Sequence, residues 1–203
     1  MDQLERKIQR RVDALPGGLQ AHVYRVRDIA VALAEHHGLD GERAAVGMLA
    51  HDVARAMADE ELLRHALAMG LPVGTVERRV PVLLHGPVGA ELLRREEGLA
   101  DAALYRGVYW HSTCHPSLDG LGKVIFLADK LDPEKEVYYP YLPLLREVAF
   151  QSLEGAVLEF LTREIVARVG RRELVHPMAV ETLNAMLAAS SARQVAVKPA
   201  SAS

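Results

Sequence analysis

Apolar residues recur at intervals of three and four along most of this chain, which is the spacing of one buried face on an α-helix. Glycine or proline interrupts the pattern between segments, as is typical of helix ends. The helices predicted in this way cover residues 2–14, 20–37, 42–51, 60–69, 88–97, 102–110, 121–131, 144–169 and 177–189. The predicted N-caps are Asp40, Asp59 and Asp101. No alternating strand pattern or hairpin turn stands between the helices, so the sequence predicts an all-α helical bundle.

Residues 1–189 contain all of these helices and are predicted to form a single domain. The chain has 203 residues, half of them hydrophobic, which is enough for one core. Residues 190–203 are rich in serine and alanine and have no periodic apolar face, so they are predicted to be a disordered tail. The long helix predicted over residues 144–169 can supply the face of a homodimer.

Composition and charge narrow the range of partners. The formal net charge is -3, without a general basic excess, so nucleic acid is not an expected partner. The single cysteine excludes an internal disulfide framework and fits a reducing compartment. The first residues are charged, and no apolar run reaches the roughly 18 residues that a membrane span needs. These features predict a cytoplasmic protein that does not bind membranes.

Histidines and aspartates stand at the inward ends of the predicted apolar helices. The pair His51 and Asp52 follows the apolar turn of residues 48–50, and Asp129 follows the apolar run of residues 125–128. A carboxylate in such a place is costly to bury unless it is paired or binds a cation. The set as a whole favours a divalent-metal centre over isolated core histidines. The candidate ligands are His22, His51, Asp52, His85, His111 and Asp129.

A carboxylate can ligate two metals with its two oxygens, so Asp52 is predicted to lie between two ions. One ion would take His22, His51, Asp52 and Asp129, and the other Asp52, His85 and His111. Imidazole and carboxylate ligands without thiolate suit Fe, Mn, Co, Ni or Zn better than an iron–sulfur cluster. Two such ions can share a bridging hydroxide and hold the attacking and leaving oxygens of a phosphate ester or anhydride. The ligand set therefore predicts a metal-dependent phosphohydrolase.

The order of these candidate ligands and the residues around each of them resemble the HD-domain phosphohydrolase superfamily. Within it, the chain resembles the YqeK-type family, whose members hydrolyse diadenosine tetraphosphate symmetrically to two ADP. The resemblance implies an all-helical HD-domain bundle, a di-iron-type centre and a nucleotide polyphosphate substrate. The matching stretches are Ala-His22-Val-Tyr-Arg-Val, Met-Leu-Ala-His51-Asp52-Val-Ala-Arg55, Leu-His85-Gly-Pro-Val-Gly-Ala90, Tyr-Trp-His111-Ser-Thr, Lys123-Val-Ile-Phe-Leu-Ala-Asp129-Lys-Leu-Asp-Pro133, and Val-His176-Pro177 with Asn184.

The metal positions of the family are all present, while several neighbouring positions differ. Such proteins usually carry Arg at the position of Leu19, Lys at Arg55, Tyr at Lys130 and Arg at Lys135, and a glycine where this chain has residues 114–116. These departures affect positions that the resemblance places near the substrate. The sequence therefore predicts the metal centre more firmly than the substrate.

Three basic residues are predicted to contact the phosphates. Arg55 lies one turn past His51, so it can neutralise a phosphate in the transition state and is counted as both a catalytic and a substrate-binding candidate. Lys123 and Lys135 flank Asp129 and can hold further phosphates. The alternative for all three is a solvated surface charge. His115 is open as a proton donor or an exposed loop residue, and Cys114 lacks the rest of a nucleophilic site.

Three other functions remain open at this stage. The first is another nucleotide phosphohydrolase of the superfamily, acting on a mononucleotide or a cyclic dinucleotide. The second is a non-catalytic, nucleotide-binding regulator. The third is a purely structural metal site, which would have a closed coordination shell. The complete ligand set favours the enzyme.

Overall fold

In the computed structural model, which describes residues 3–197, every regular element of the described chain is helical, as predicted. The α-helices are α1 (Gln3–Asp13), α2 (Gly17–His36), α3 (Gly41–His51), α4 (Asp59–Ala68), α5 (Thr75–Arg79), α6 (His85–Leu92), α7 (Ala102–Trp110), α8 (Gly120–Lys130), α9 (Leu142–Gln151), α10 (Leu153–Gly170) and α11 (Pro177–Val197). Short 3₁₀ turns cover Pro81–Leu84 and Pro133–Lys135, and a π-helical turn covers Leu93–Glu97.

Four helices form the centre of the bundle, with α2, α3, α7 and α8 packed against one another. Ile125 of α8 is fully buried where α3 and α7 meet it. Both facing positions are glycine, and a Cβ added at Gly107 would lie 2.6 Å from Ile125 Cδ1, while one at Gly47 would overlap the same atom. The two glycines therefore let α3 and α7 approach α8 closely, which brings the end of α3 beside the end of α7.

Aspartate side chains cap the helices at two of the three predicted places. Asp40 accepts a hydrogen bond from Arg43 N, and Asp101 accepts bonds from Ala103 N and Leu104 N. The prediction for Asp59 is wrong, because α4 begins at that residue and its N-cap is Ala58, which has no capping side chain. Asp119 supplies a further cap by accepting from Gly122 N at the start of α8.

The predicted helix over residues 144–169 is two helices that meet at Ser152. Ser152 has extended backbone angles, φ -159 and ψ 118, and its hydroxyl accepts a hydrogen bond from Gly155 N. The side chain therefore caps α10, and the chain changes direction between α9 and α10. Apolar residues on both sides keep the same periodicity, which is why the break is hidden in the sequence.

The last helix ends later than predicted. It continues to Val197, so residues 190–197 are helical where the sequence predicted a disordered tail. Alanine has the strongest intrinsic helix propensity, and neither glycine nor proline stops the chain between residues 190 and 198. Residues 198–203, the rest of that prediction, lie outside the described residues. Among the described helices, none combines the length and the apolar character that crossing a bilayer requires.

Candidate metal centre

The six predicted ligands come together at the centre of the bundle. His51 is the last residue of α3, Asp52 follows it, His85 begins α6, His111 follows α7, and Asp129 lies near the end of α8. His22 lies in the second turn of α2 and is partly buried, whereas the other five are buried. Except for His22, these polar side chains lie at or next to helix ends, so they turn inward without interrupting the apolar faces that hold the bundle together.

Asp52 divides the histidines into two groups. Its Oδ2 lies 3.8 Å from His22 Nε2 and 3.5 Å from His51 Nε2. Its Oδ1 lies 3.1 Å from His85 Nε2 and 3.6 Å from His111 Nε2. Asp129 joins the first group, with its Oδ1 3.2 Å from His22 Nε2 and 4.0 Å from His51 Nε2. One carboxylate thus has an oxygen facing each group.

Three of the histidines are oriented by their own backbone. The Nδ1 of His51 is 2.6 Å from Met48 O, and that of His111 is 2.7 Å from Val108 O. The Nδ1 of His85 is hydrogen-bonded to Val82 O in the same way. A carbonyl can only accept, so each Nδ1 donates and each Nε2 carries a lone pair. All three lone pairs point into the cluster.

The protein alone does not satisfy all three of these lone pairs. The Ser112 hydroxyl lies 3.2 Å from His111 Nε2 and 3.4 Å from His85 Nε2, but it has only one proton to donate. His51 Nε2 is buried, and no hydrogen-bond partner reaches it within the described part of the chain. His85 Nε2 and His111 Nε2 are only 2.8 Å apart, although both are acceptors in the tautomers that their carbonyl partners impose. Two lone pairs at that distance repel each other unless a cation lies beside them. The donor set therefore fits bound divalent metal, with nitrogen and carboxylate ligands and no thiolate.

The ionisation states suit metal binding. Burial raises the pKa of both aspartates, but the neighbouring histidines of Asp52 and the lysines beside Asp129 outweigh this effect and hold both well below the usual range. Burial lowers the pKa of His51, and it lowers that of His111 to about 4. Near neutral pH the carboxylates are therefore charged and these two histidines neutral, as metal ligation requires.

His22 differs from the other histidines in its partner and in its pKa. Its Nδ1 lies 2.5 Å from Asp132 Oδ2, so a side chain replaces the backbone carbonyl. Burial lowers the pKa of His22, yet hydrogen bonds to Asp129 and Asp132 raise it to about 9. Asp132 stands just beyond α8, in a stretch that matches the family, but no role was predicted for it because it is 110 residues away from His22 in the chain.

Two lysines hold Asp129 in place. Lys130 Nζ lies 2.6 Å from Asp129 Oδ2 and 3.2 Å from His111 O. Lys135 Nζ lies 2.6 Å from Asp129 Oδ1 and 2.7 Å from Asp129 O. Lys135 was predicted to contact phosphate, and the structure places it against a candidate metal ligand as well as at the cavity wall. Lys130 was known only as a departure from the family pattern.

A cavity of about 670 Å³, called here the first cavity, opens above the cluster. Arg55 lines it with an exposed side chain, and no acid lies within ion-pair distance of its guanidinium among the described residues.

The first cavity is also lined by basic and aromatic residues that were not predicted from the sequence: Tyr138, Tyr139, Arg168 and Arg171. The basic pair is neutralised in part, because Arg168 pairs with Glu164, and Arg171 pairs with Glu173. In the sequence, the spacing of Leu161, Glu164 and Arg168 already places these three side chains on one face of α10, which could have indicated that Arg168 lies beside buried residues.

The structure does not bring Lys123 to the first cavity. Its Nζ pairs with Glu154 at 2.6 Å, and it lines a separate cavity of about 600 Å³, called here the second cavity. Lys123 precedes Asp129 by six residues of α8, about one and two-thirds turns, so the two side chains leave the helix on different faces. The prediction that Lys123 contacts substrate at this centre is therefore corrected by its position.

Comparisons with known proteins show what this chain is similar to. The symmetrical bis(5'-nucleosyl)-tetraphosphatase of Bacillus subtilis (strain 168) is 28% identical over 169 residues, which are 83% of this chain and 89% of that protein. A protein of the same name from Halalkalibacterium halodurans is 28% identical over 166 residues, covering 82% of this chain and 87% of that protein.

A solved structure is similar over most of its length. The crystal structure of a predicted HD superfamily hydrolase involved in NAD metabolism, from Clostridium acetobutylicum, superposes with a TM-score of 0.84 at 27% identity and covers 90% of this chain and 96% of that chain. The family model described as HD domain matches residues 19–134, more than half of the chain and a span that contains all six clustered residues. This chain belongs to the HD-domain family.

Proposed function

We propose that this chain is a metal-dependent phosphohydrolase that cleaves a dinucleoside tetraphosphate symmetrically, with diadenosine tetraphosphate giving two ADP as the main reaction. The observation that carries the proposal is the position of Asp52, whose two oxygens face two separate histidine groups on the floor of a basic cavity. The substrate comes from the relatives, two of which are named symmetrical bis(5'-nucleosyl)-tetraphosphatases and align over more than four-fifths of this chain.

The proposed ligands of one metal are His22, His51, Asp52 and Asp129, and those of the other are Asp52, His85 and His111. Iron is the proposed metal, with Mn, Co, Ni and Zn as alternatives that the same ligands accept. When bound, two such cations lower the pKa of water and stabilise the charge on the attacking and leaving oxygens of a phosphoanhydride. The uncompensated lone pair of buried His51 Nε2 supports this assignment.

The residues around the centre have separate proposed tasks. Arg55 is free to bind phosphate oxygens, because no acid competes for its guanidinium among the described residues, and it can stabilise charge that develops in the transition state. Lys135 lines the same cavity and is proposed to contact phosphate from its position beside Asp129. Lys130, held between Asp129 and His111 O, keeps Asp129 ionised and oriented.

The first test measures hydrolysis and metal content on the same sample of the full chain. The purified protein is reconstituted with iron or manganese and incubated with diadenosine tetraphosphate, and the products are separated by chromatography. We expect about two metals per chain, ADP as the product, and loss of both metal and turnover in Asp52→Ala. Asp28→Ala, an exposed aspartate on α2 that pairs with Arg27, is the matched control and should retain both.

Different failures reject different parts of the proposal. Two bound metals without hydrolysis would reject the substrate and leave the metal centre. ATP and AMP as products would reject symmetrical cleavage. No metal and no turnover after reconstitution would reject the enzyme itself. A homodimer and a cytoplasmic location remain predictions from the sequence.

A further inference from the structure

The four clustered histidines are not held in the same way. Those at positions 51, 85 and 111 bond to a carbonyl three residues earlier in their own chain segment. His22 instead bonds to Asp132, which belongs to the turn after α8 and is only 1% exposed. A backbone carbonyl cannot be removed by substitution, but a carboxylate can. The orientation of His22 is therefore set by a single replaceable side chain.

Asp132 is itself held by several donors. Arg25 binds both of its oxygens, with Nε 3.1 Å from Oδ1 and Nη2 3.0 Å from Oδ2. Glu134 N donates to Oδ1 at 3.1 Å, and Arg25 also pairs with Glu134 at 2.7 Å. These bonds leave Oδ2 in one position, directed at His22 Nδ1. Neighbouring cations and hydrogen bonds outweigh the effect of burial and hold the pKa of Asp132 below its usual range.

The consequence for His22 is a choice of tautomer. An ionised carboxylate accepts and cannot donate, so Nδ1 carries the proton and Nε2 of neutral His22 keeps its lone pair. That Nε2 lies 3.2 Å from Asp129 Oδ1 and 3.8 Å from Asp52 Oδ2. A lone pair at this position completes a group of donors for one cation. A proton at the same position would block it.

We propose that Asp132 is a positioning residue, which selects the Nδ1-protonated tautomer of His22 and so completes the cation site formed by His22, His51 and Asp129. The inference rests on the metal centre of the proposed function. Asp132 touches neither the cation nor the substrate and acts through His22. Arg25 and Glu134 N orient Asp132 in turn. The second cation site, at His85 and His111, does not depend on this chain of contacts.

Asp132→Asn tests the proposal without changing the shape of the side chain. If the amide oxygen takes the place of Oδ1, it keeps the donors Arg25 Nε and Glu134 N, and the NH₂ group faces His22 and Arg25 Nη2. The reverse orientation would set the NH₂ group against two donors, Arg25 Nε and Glu134 N. The first orientation has fewer opposed donors and is therefore preferred. It makes His22 Nδ1 an acceptor and moves the proton to Nε2.

The expected result is the loss of one cation out of two. At a free Mn²⁺ concentration just high enough to fill both wild-type sites, Asp132→Asn should bind about one Mn²⁺ per chain, because the affinity of the affected site falls by about 10- to 100-fold. Asp101→Asn is the matched control, because Asp101 also caps a helix but lies at the start of α7, away from the cluster. It should bind as the wild type does.

A second readout needs neither metal nor activity. Long-range ¹H–¹⁵N spectra of the histidine rings in the metal-free proteins, followed through a pH titration, distinguish the two tautomers of neutral His22. We expect the proton on Nδ1 in the wild type and on Nε2 in Asp132→Asn. The wild-type spectrum tests the proposal even if Asp132→Asn does not fold, because a proton on Nε2 of neutral His22 would contradict it. Arg25→Gln keeps the carboxylate and should keep the wild-type tautomer, with a smaller loss of metal affinity than in Asp132→Asn.

The outcomes separate this inference from the proposed function. A wild type without two cations would reject the metal centre and with it the inference. Two cations of unchanged affinity in Asp132→Asn, or an unchanged tautomer, would reject the inference alone. Loss of both cations in folded Asp132→Asn, or loss in Arg25→Gln equal to that in Asp132→Asn, would show that the contacts hold the whole site rather than the tautomer of His22.

Discussion

The first and second cavities differ little in volume, at about 670 and 600 Å³, and both contain histidine and lysine side chains. In the second cavity each candidate group is satisfied by the protein. His115 bonds to Ser117 and stacks on Trp110, and Lys123 pairs with Glu154. In the first cavity, buried His51 Nε2 has no hydrogen-bond partner among the described residues, and His85 Nε2 and His111 Nε2 face each other with a single hydroxyl, that of Ser112, in reach of both. The ability to bind a cation therefore depends less on which residue types line a cavity than on whether their polar atoms already have partners in the protein.

The largest contrast is expected between two histidines only four positions apart, one in each cavity. His111→Gln removes a proposed ligand from the centre, so turnover should fall by more than the roughly 100-fold that loss of an outer partner costs, and one metal should be lost. His115→Gln should leave both quantities unchanged, because the His115 ring bonds to Ser117 and stacks on Trp110 in the second cavity, away from the metal centre. Steady-state kinetics and metal analysis measure the effect. Equal losses in the two variants would break the distinction between the cavities.

The lysines form a second matched pair. Lys135→Ala should raise the KM for the proposed tetraphosphate by about tenfold, since one charge-assisted phosphate contact is worth about 1.5 kcal/mol. Lys123→Ala should change neither KM nor kcat, because its partner is Glu154 on α10. An increase in KM for Lys123→Ala comparable to that for Lys135→Ala would restore the original sequence prediction.

Packing next to the first cavity is expected to be sensitive to one methyl group. A Cβ at Gly86 would lie 2.9 Å from Tyr109 O, 3.0 Å from Val108 O and 3.2 Å from His111 Cε1. Gly86→Ala should therefore cost about 1–3 kcal/mol of unfolding free energy and weaken metal binding, because Val108 O orients His111. Gly170→Ala is the control, since a Cβ there meets nothing within 4 Å. Urea denaturation compares the two, and equal stability would contradict the packing argument.

The metal-free protein should be most stable near pH 6.5. Burial lowers the pKa of His111 from 6.5 to about 4. Between these two values the unfolded state binds more protons than the folded state, so the free energy of unfolding falls as the pH drops from 6.5 to about 4. The pKa of His22 is raised to about 9, so its contribution is complete below 6.5 and is lost as the pH rises to about 9. Denaturation after chelation, at about pH 4.5, 6.5 and 8.5, measures this. If the stability of the wild type did not fall between about pH 6.5 and 8.5, a contribution from His22 would be excluded. In His22→Gln, stability should not change over this pH interval.

The smallest effect is expected at Cys114 in the second cavity. Burial raises the pKa of its thiol to about 11, so almost none is thiolate near neutral pH. A thiol reagent should label the native protein slowly and the urea-unfolded protein fully, and Cys114→Ala should leave turnover unchanged. Rapid labelling of the native protein, together with loss of turnover in Cys114→Ala, would indicate that Cys114 is reactive after all.

The helical fold and the cluster of six candidate ligands were accessible from the sequence for a physical reason. Periodic apolar faces report which side of a helix is buried, and residues such as Asp129 were recognised because a carboxylate directly behind such a face needs a partner. The helical phase of α8 also places Lys123 and Asp129 on different faces, which argues against the prediction that Lys123 contacts substrate at the centre. The matched family then indicated the order of the ligands along the chain.

Other features had no local signal. The cap at Ser152 interrupts a periodicity that continues through it, so α9 and α10 look like one helix. The contact of His22 with Asp132 joins positions 110 residues apart, and nothing near either residue indicates the other. Contacts of this kind depend on how the helices pack, which the pattern along a single chain does not specify.

The bonds from three ring Nδ1 atoms to carbonyls three residues earlier have a consequence for how the centre forms. Each bond closes within a single turn, so His51, His85 and His111 can be aimed as soon as their own segments become helical, before distant parts of the chain meet. Docking of the helices then has only to set the distances between rings that are already oriented. The binding site would then form before the cations bind, and the cations would not be needed to induce folding. On this order of events the ions can exchange in the native protein without unfolding it.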